Sequence, residues 1–366
     1  MKNKIFQSFV HILRISLVLS FILILSGCTV EVSNNDSNSD LKVMYLDVGQ
    51  GDAILIQSQG EAMLIDAGEK EQGSTVTGYL EQENIKSLKY IICTHPHSDH
   101  IGGMAEVIKE YNADEIFLDK QKYDTETYNN LISLVEKRNI TKTYPKAGDT
   151  YKLGGSSFEF LTPLGKDYGD NTNNYSLVVK LTNGKNSFLF TGDMEEEAEK
   201  DLLSEVGDLE SDVLKVGHHG SLTSSSLEFL RAVDPVYAVI SVGKDNSYGH
   251  PSSITLANLE DEDVQVYRTD VMGTVIISSD GNNISVKTEG TYAKQASESP
   301  VEENTDNLTD DQDKPSDKKS EEYVYVTEKG SKYHKKGCQY VKDNRKAILM
   351  EEAKEEGYEP CSVCKP

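Results

Sequence analysis

Within six positions the chain places His95, His97, Asp99 and His100, in the run His95-Pro96-His97-Ser98-Asp99-His100. The run follows Tyr90-Ile91-Ile92-Cys93-Thr94, which reads as a buried strand, and precedes Gly102 and Gly103. A strand that ends at Thr94 puts the histidines on a loop at a sheet edge, with a helix starting near Gly102. On such a loop His95, His97 and Asp99 project together, while His100 turns to the next position. Neutral imidazoles and a hard carboxylate oxygen suit Zn²⁺, Mn²⁺ or Fe²⁺. Histidines satisfied in an ordinary loop are the alternative, but clustering of this density points to a metal centre. The fold must therefore supply a rigid sheet edge behind this loop.

The surrounding pattern supplies one. From Leu41 onward, short β-rich runs alternate with turns: Leu41–Gly49, Asp52–Ser58, Ala62–Gly68 and Leu88–Thr94, then Ser187–Asp193, Asp212–Gly220, Val236–Gly243 and Gly273–Val286. Helical patterns occupy 74–84, 102–111, 124–138, 195–205 and 224–232. This is an α/β chain with layered sheet covered by helices. At 366 residues and 37% apolar content it has a real core and room for accessories. No internal repeat is evident. The formal charge of −24 argues against a surface built for broad electrostatic capture of nucleic acid. Its acidic runs at 195–210 and 260–270 read as solvated helix and loop faces.

Both ends differ from the middle. Lys2 and Lys4 precede an apolar stretch from Ile15 to Leu25, which is short for a membrane span and has the charge order of a secretory signal. Leu25-Ser26-Gly27-Cys28 resembles the lipobox of bacterial lipoproteins. That resemblance implies a signal peptide over 1–28, lipid on Cys28, attachment to the extracytoplasmic face of the cell membrane, and a polar tether over 29–40. An uncleaved anchor would leave the domain on the same side. Residues 294–322 are almost without apolar side chains and read as a disordered linker. Residues 323–366 form a separate small unit.

Further motifs bring the domain over 41–293 close to a known family. His-x-His-x-Asp-His is the signature of the metallo-β-lactamase superfamily. Leu64-Ile65-Asp66-Ala67-Gly68 puts Asp66 where that family has a strand-end aspartate organising the metal loop, and Phe190-Thr191-Gly192-Asp193 puts Asp193 at the bridging carboxylate. The runs 46–56, 174–181, 188–199, 214–225 and 246–252 resemble the soluble hydrolase domain of ComEC-type DNA-uptake proteins, without the membrane channel of that family. The resemblance implies a four-layer αββα fold and two divalent metals, Zn²⁺ or Mn²⁺. By the same resemblance His95 and His97 hold the first metal, Asp99 and His100 the second, and Asp193 bridges them. His250 is the expected distal ligand, with His218 or His219 handling phosphate or leaving-group charge and Asp99 orienting the nucleophile. Many members supply one more histidine to the first metal, yet none occurs between residues 101 and 217. Asn173 or Asn174 falls about where it belongs, with Asn174 the expected choice, and a mononuclear site is the alternative. Asp52 either reaches the rim of the site or, with Asp47, caps the turn around Gly49 and Gly51.

The activity implied is hydrolysis of a phosphodiester, DNA first, by a metal-activated water outside the cell in connection with DNA uptake. Two alternatives stand beside it: an envelope phosphodiesterase acting on wall polymer or phosphocholine-type esters, and a metal-stabilised binding module without catalysis. β-Lactam hydrolysis has no specific support in the sequence. No protein partner is inferable.

The C-terminal unit contains His334, Cys338, Cys361 and Cys364, a His-x3-Cys followed by Cys-x2-Cys. This is tetrahedral zinc spacing in a unit too small to fold on a core alone. A disulfide competes in an exported protein, but three cysteines leave one thiol over, which favours one structural Zn²⁺. The segment resembles Ada-type zinc modules. Its lysines, from Lys332 to Lys346, suit an anionic surface or simple solvation. Cys93 reads as a core thiol.

Overall fold

The structure is a computed structural model that describes residues 40–289, 323–327, 331–335, 338, 346–361 and 363–365. The expected signal peptide over 1–28, Cys28, nearly all of the expected tether and the expected linker over 294–322 lie outside the described residues. Among the described residues no helix is long and apolar enough to cross a membrane.

Two sheets face each other. The eight-stranded sheet runs, in spatial order, Ile284–Thr288, Val275–Ser279, Leu41–Tyr45, Ile54–Ser58, Glu61–Ile65, Ser87–Ile92, Asn112–Phe117 and Thr141–Thr143. The seven-stranded sheet runs Gln265–Arg268, Tyr237–Ile240, Val213–Lys215, Asn186–Phe190, Val179–Asn183, Ser156–Phe160 and Thr150–Leu153. Strand alternation sorts the apolar residues into layers. Val43, Tyr45, Ile54, Ile56, Ile65, Ile92 and Phe117 meet Phe158, Phe160, Phe188 and Phe190 between the sheets. Met44, Leu55, Leu64 and Ile91 face the other way, onto the helices Gly73–Gln82, Met104–Glu110 and Glu126–Lys137. Leu189, Leu214, Ala238 and Ile240 do the same toward Glu196–Glu205 and Leu227–Val233. Because most strands bury both faces, they read as continuous apolar runs rather than alternating ones. The result is the expected four-layer αββα arrangement.

The strands that matter for the site are parallel and aligned at their carboxyl ends. Ile65 pairs with Ile92 in the first sheet, and Phe190 with Lys215 and Lys215 with Val239 in the second. Loops that leave these ends converge on one crevice, the usual place for a site in such sheets.

The C-terminal unit has two small sheets, Tyr323–Val326 with Lys346–Leu349 and Lys332–Tyr333 with Glu359–Pro360, and the helix Met350–Glu355. Its apolar core is Val324, Val326, Tyr333, Ile348 and Ala353. So few buried side chains need a staple.

Candidate metal centre

His95 and His100 are buried, Asp99 is partly so, and His97 faces outward. The loop is followed directly by the short helix Ser98–Ile101 and, from Met104, by a second one, so the helix starts earlier than expected and is broken at Gly102-Gly103. Gly51 explains how a second loop comes so close. It has φ +125°, and a Cβ there would overlap the Asp99 carbonyl oxygen. The 47–52 turn can therefore lie directly against the metal loop.

The two buried imidazoles of the loop, His95 and His100, are each held through Nδ1. His100 Nδ1 lies 2.8 Å from Asp66 Oδ2, and Asp66 also accepts from the Thr94 amide at 2.9 Å and the Thr94 hydroxyl at 2.6 Å. With its hydrogen given to Asp66, the Thr94 hydroxyl oxygen is left to accept from His95 Nδ1 at 3.2 Å. Both Nε2 atoms are thereby left to face the crevice. His100 Nε2 and Asp193 Oδ1 are buried and make no hydrogen bond. Buried polar atoms left open in this way, in a set of imidazoles and carboxylates, fit a divalent metal.

Ligand atoms of Asp99, His100, Asp193 and His219 lie within 4.8 Å of one another. Asp193 Oδ2 stands 3.2 Å from His100 Nε2, 3.5 Å from His219 Nε2 and 3.7 Å from His95 Nε2. One carboxylate thus touches both halves of the site, with His97 Nδ1 3.1 Å from His95 Nε2 on the far side. The electrostatics divide the histidines: burial would lower His100, but the Asp193 and Asp66 charges hold it well above the ordinary range, so a metal there must displace its proton. Burial, with the neighbouring His100, holds His95 well below the ordinary histidine range, and burial lowers His97 too, which leaves both neutral as ligands must be. Burial acts the same way on His219, but the Asp193 charge and the close carboxylates of Asp52 and Asp99 overcome it and push it up to about 10.

The two adjacent histidines play different parts. Both have left-handed backbones, φ +47° at His218 and +53° at His219, a conformation that costs on the order of 1–3 kcal/mol per residue and that concentrates at functional sites. His219 is buried and joins the carboxylates. His218 is half-buried, with Nδ1 3.1 Å from Glu195 Oε1 and Nε2 3.9 Å from Asp193 Oδ2. The hydrogen bond to His218, with those from Asn171 and Asn173, brings Glu195 down to about 2.

His250, expected as the distal ligand, lies outside the group that gathers around Asp193. Its ring centroid is 5.3 Å from that of His218 and 6.4 Å from that of His219, and it stacks on exposed Tyr248. Burial and the two neighbouring histidines bring it down to about 4. The asparagines also exchange places. Asn174 Oδ1 already accepts the Glu195 amide at 3.0 Å, whereas Asn173 Oδ1 is buried without a hydrogen bond. Asp52 is not a rim or turn-capping residue. It is buried, paired at 3.0 Å with Lys215 Nζ and 3.4 Å from His219 Nδ1. Asp47 does cap its own turn, accepting the Gly49 amide.

Sequence reasoning missed Glu195, Ser176 and Lys215. Ser176 Oγ accepts the Asp193 amide at 3.1 Å. Lys215 was legible as a charged residue inside an apolar strand directly before the Gly217–Gly220 turn, where a solvated lysine has no place.

In the C-terminal unit, ligand atoms of His334, Cys338, Cys361 and Cys364 also lie within 4.8 Å of one another. None of the three thiols is in a disulfide, nor is Cys93, whose thiol is buried in the core.

Residues 46–244 match the Metallo-beta-lactamase superfamily. The chain is 30% identical to ComE operon protein 3 of Bacillus subtilis, over 65% of this chain and 33% of that one. It is 33% identical to Recombination protein 2 of Haemophilus influenzae, over 71% and 31%, and 30% identical to Competence protein ComA of Neisseria gonorrhoeae, over 69% and 34%. The chain thus spans about a third of the length of these relatives. With its four layers, its His-x-His-x-Asp-His loop and its aspartate at the facing strand end, the chain belongs to the metallo-β-lactamase superfamily, among relatives of the ComEC kind.

Proposed function

We propose that the chain is a metal-dependent phosphodiesterase that cuts DNA on the extracytoplasmic side of the membrane, held there by lipid on Cys28. The observation that carries this reading is the position of Asp193, in reach of His95 on one side and of His100 and His219 on the other. In it His95 and His97 hold one divalent ion, Asp99, His100 and His219 hold the second, and Asp193 serves both. His219 takes the place given to His250 on sequence grounds, and Asn173 rather than Asn174 offers an amide oxygen to the first position.

Divalent ions bound there supply positive charge to the phosphoryl oxygens and make hydroxide available near neutral pH. The chain's own residues do the rest. Asp99, half-exposed on the loop, orients the attacking water. His218 stands at the open side with Glu195 behind it, placed to hold a proton for the departing oxygen. DNA as substrate draws on the competence and recombination proteins among the relatives.

One observation favours a different ester. A cleft of about 730 Å³ beside the site is lined by Glu195, Glu196, Glu197 and Glu228, with Arg231 as its one basic side chain. An acidic approach suits a phosphocholine-type group better than a polyanion. The test is metal content of the full chain, with hydrolysis of bis-p-nitrophenyl phosphate, a phosphocholine ester, and single- and double-stranded DNA. Three metals per chain, two beyond the ion at His334, Cys338, Cys361 and Cys364, with DNA cleavage support the nuclease. Turnover of phosphocholine alone replaces DNA with an envelope ester, and no metal or turnover leaves a binding module.

A further inference from the structure

Lys215 is fully buried on the strand Val213–Lys215, one turn before the two histidines. Its ammonium contacts Asp52 Oδ2 at 3.0 Å and the Val216 carbonyl oxygen at 2.8 Å. Burying a charge pair is costly, and an apolar residue of similar size usually stabilises such a position at least as well. The pair therefore calls for a reason other than stability.

Its surroundings supply one. Asp52 is tied to the metal loop through its backbone, its amide donating to the Asp99 carbonyl at 3.1 Å and its carbonyl accepting from Gly68 at 2.8 Å. Its side chain crosses to the other sheet. One oxygen meets Lys215, and the other, Oδ1, makes no regular hydrogen bond and faces His219 Nδ1 at 3.4 Å. His219 Nδ1 is also 2.9 Å from the Ser241 carbonyl oxygen. Nδ1 turns its hydrogen to these two acceptors, which leaves Nε2, pointing at Asp99 Oδ2 at 3.2 Å and Asp193 Oδ2 at 3.5 Å, as the nitrogen that gives up its proton when a metal binds between them. Lys215 does two things for this geometry. It fixes the Asp52 carboxylate so that Oδ1 faces the imidazole, and it balances one negative charge in a crevice that already holds Asp66, Asp99 and Asp193.

We propose that Lys215 and Asp52 are positioning residues for the metal centre, a buried charge pair that fixes the orientation and tautomer of His219 so that Nε2 receives the metal. The proposal rests on the reading of the crevice as a metal site and adds to it a pair of residues that touches neither metal nor substrate.

The test uses the full chain and Co²⁺ as probe, in wild type and in the double variant Asp52→Asn/Lys215→Met, which removes both charges together and leaves neither one buried alone. Circular dichroism checks the fold, and competition with a chromophoric chelator gives the affinity. The expected result is a folded variant whose Co²⁺ binding is weaker by about 10- to 100-fold, with an altered visible spectrum. A purely structural pair would shift the unfolding midpoint and leave affinity and spectrum unchanged, which would overturn the proposal. Should the double variant not fold, long-range ¹H–¹⁵N spectra of the zinc-loaded wild type decide. His219 protonated at Nδ1 and ligated through Nε2 supports the assignment, and the opposite tautomer overturns it. A wild-type chain that binds no Co²⁺ beyond the one ion expected at His334, Cys338, Cys361 and Cys364 sinks both this proposal and the metal reading; normal wild-type binding in the crevice with an unaffected variant sinks this one alone.

Discussion

Asp66 Oδ2 lies 2.8 Å from His100 Nδ1, and neither side chain is exposed to solvent. Asp66 itself has a left-handed backbone, φ +56°, which turns its carboxylate from the strand end back under the loop. Two Thr94 donors hold the carboxylate, and it in turn holds the imidazole. Asp66→Asn replaces one acceptor by a donor facing His100 Nδ1 or Thr94. We expect a folded variant with metal affinity reduced by about 10- to 100-fold, measured by zinc competition with a chelating dye. Wild-type affinity would remove Asp66 from the support of the centre.

Much of this arrangement was legible in the sequence, and the parts that were not have physical reasons. Clustered ligands on one loop announce themselves, because His95, His97, Asp99 and His100 share local geometry. Asp66 and Asp193 are legible through the resemblance of Leu64–Gly68 and Phe190–Asp193 to motifs of the family. Resemblance ranks His250 above His219 as the distal ligand, and the sequence holds nothing to reverse that order, since the choice depends on where two loops fall after strands pairing Lys215 with Val239, a relation between residues far apart in the chain. Lys215 and Asp52 were missed as a pair for the same reason, being 163 positions apart by their numbers. In the fold, the strand Asn112–Phe117 was overlooked because Asn112, Asp114 and Glu115 are polar and its first four residues are exposed or only partly buried, with Ile116 and Phe117 alone fully buried. The helix Ser253–Asp261 was overlooked because its buried residues Thr255, Ala257 and Leu259 follow no clear helical stripe.

His218 and His219 should separate in experiment although they are adjacent. His219→Ala removes a buried side chain from the carboxylate group and should cut metal occupancy. His218→Ala should leave occupancy unchanged and lower turnover by about 10²- to 10⁴-fold, as expected for a group that manages a proton. Metal content and kcat measured on the same preparations decide. Equal loss of metal in both variants would make His218 a ligand and leave the proton role empty.

Asp193 contacts both halves of the site, so its loss should be felt in both. Asp193→Ala should reduce hydrolysis of bis-p-nitrophenyl phosphate by more than about 100-fold, a larger effect than removing an outer residue. The two-sheet body should keep its circular dichroism, because Asp193 lies on a loop beyond Phe190 rather than in the core. A variant that retains turnover would take the bridging carboxylate out of the mechanism.

Glu199 gives a pH dependence that is separate from the metal centre. It is buried, and it accepts from the Ser225 amide at 2.5 Å and the Ser226 amide at 3.0 Å. Burial outweighs those bonds and pushes its carboxyl from 4.5 up to about 7. The folded state therefore keeps its proton where the unfolded chain has lost it. The contribution to stability is complete below about pH 4.5, falls as pH rises toward 7 and is flat above. The span corresponds to at most about 3 kcal/mol. Urea unfolding at pH 5 and pH 8 should show this decline, and Glu199→Gln should flatten it. Identical pH slopes in the two proteins would mean that Glu199 is ionised in both states.

The C-terminal unit tests whether metal or sulfur chemistry holds it together. Cys338 Sγ lies 3.3 Å from His334 Nδ1, and the Lys335 and Val363 amides donate to Cys364 Sγ and Cys361 Sγ at 3.3 and 3.4 Å. Amide donors of this kind stabilise thiolates, the form a zinc ligand takes. Three sulfurs and one imbalanced imidazole nitrogen around a point suit a closed tetrahedral site, whereas one disulfide would leave the third thiol and the histidine without a role. Among the described residues of the unit, a core cluster as small as Val324, Val326, Tyr333, Ile348 and Ala353 cannot replace that staple. A strong chelator should therefore make residues 323–366 sensitive to protease while the two-sheet body resists, and a reductant should not. Cys361→Ser should reproduce the effect of the chelator and release one zinc per chain to a colorimetric dye. Protease sensitivity produced by reductant instead, with no zinc released, would assign the unit to a disulfide.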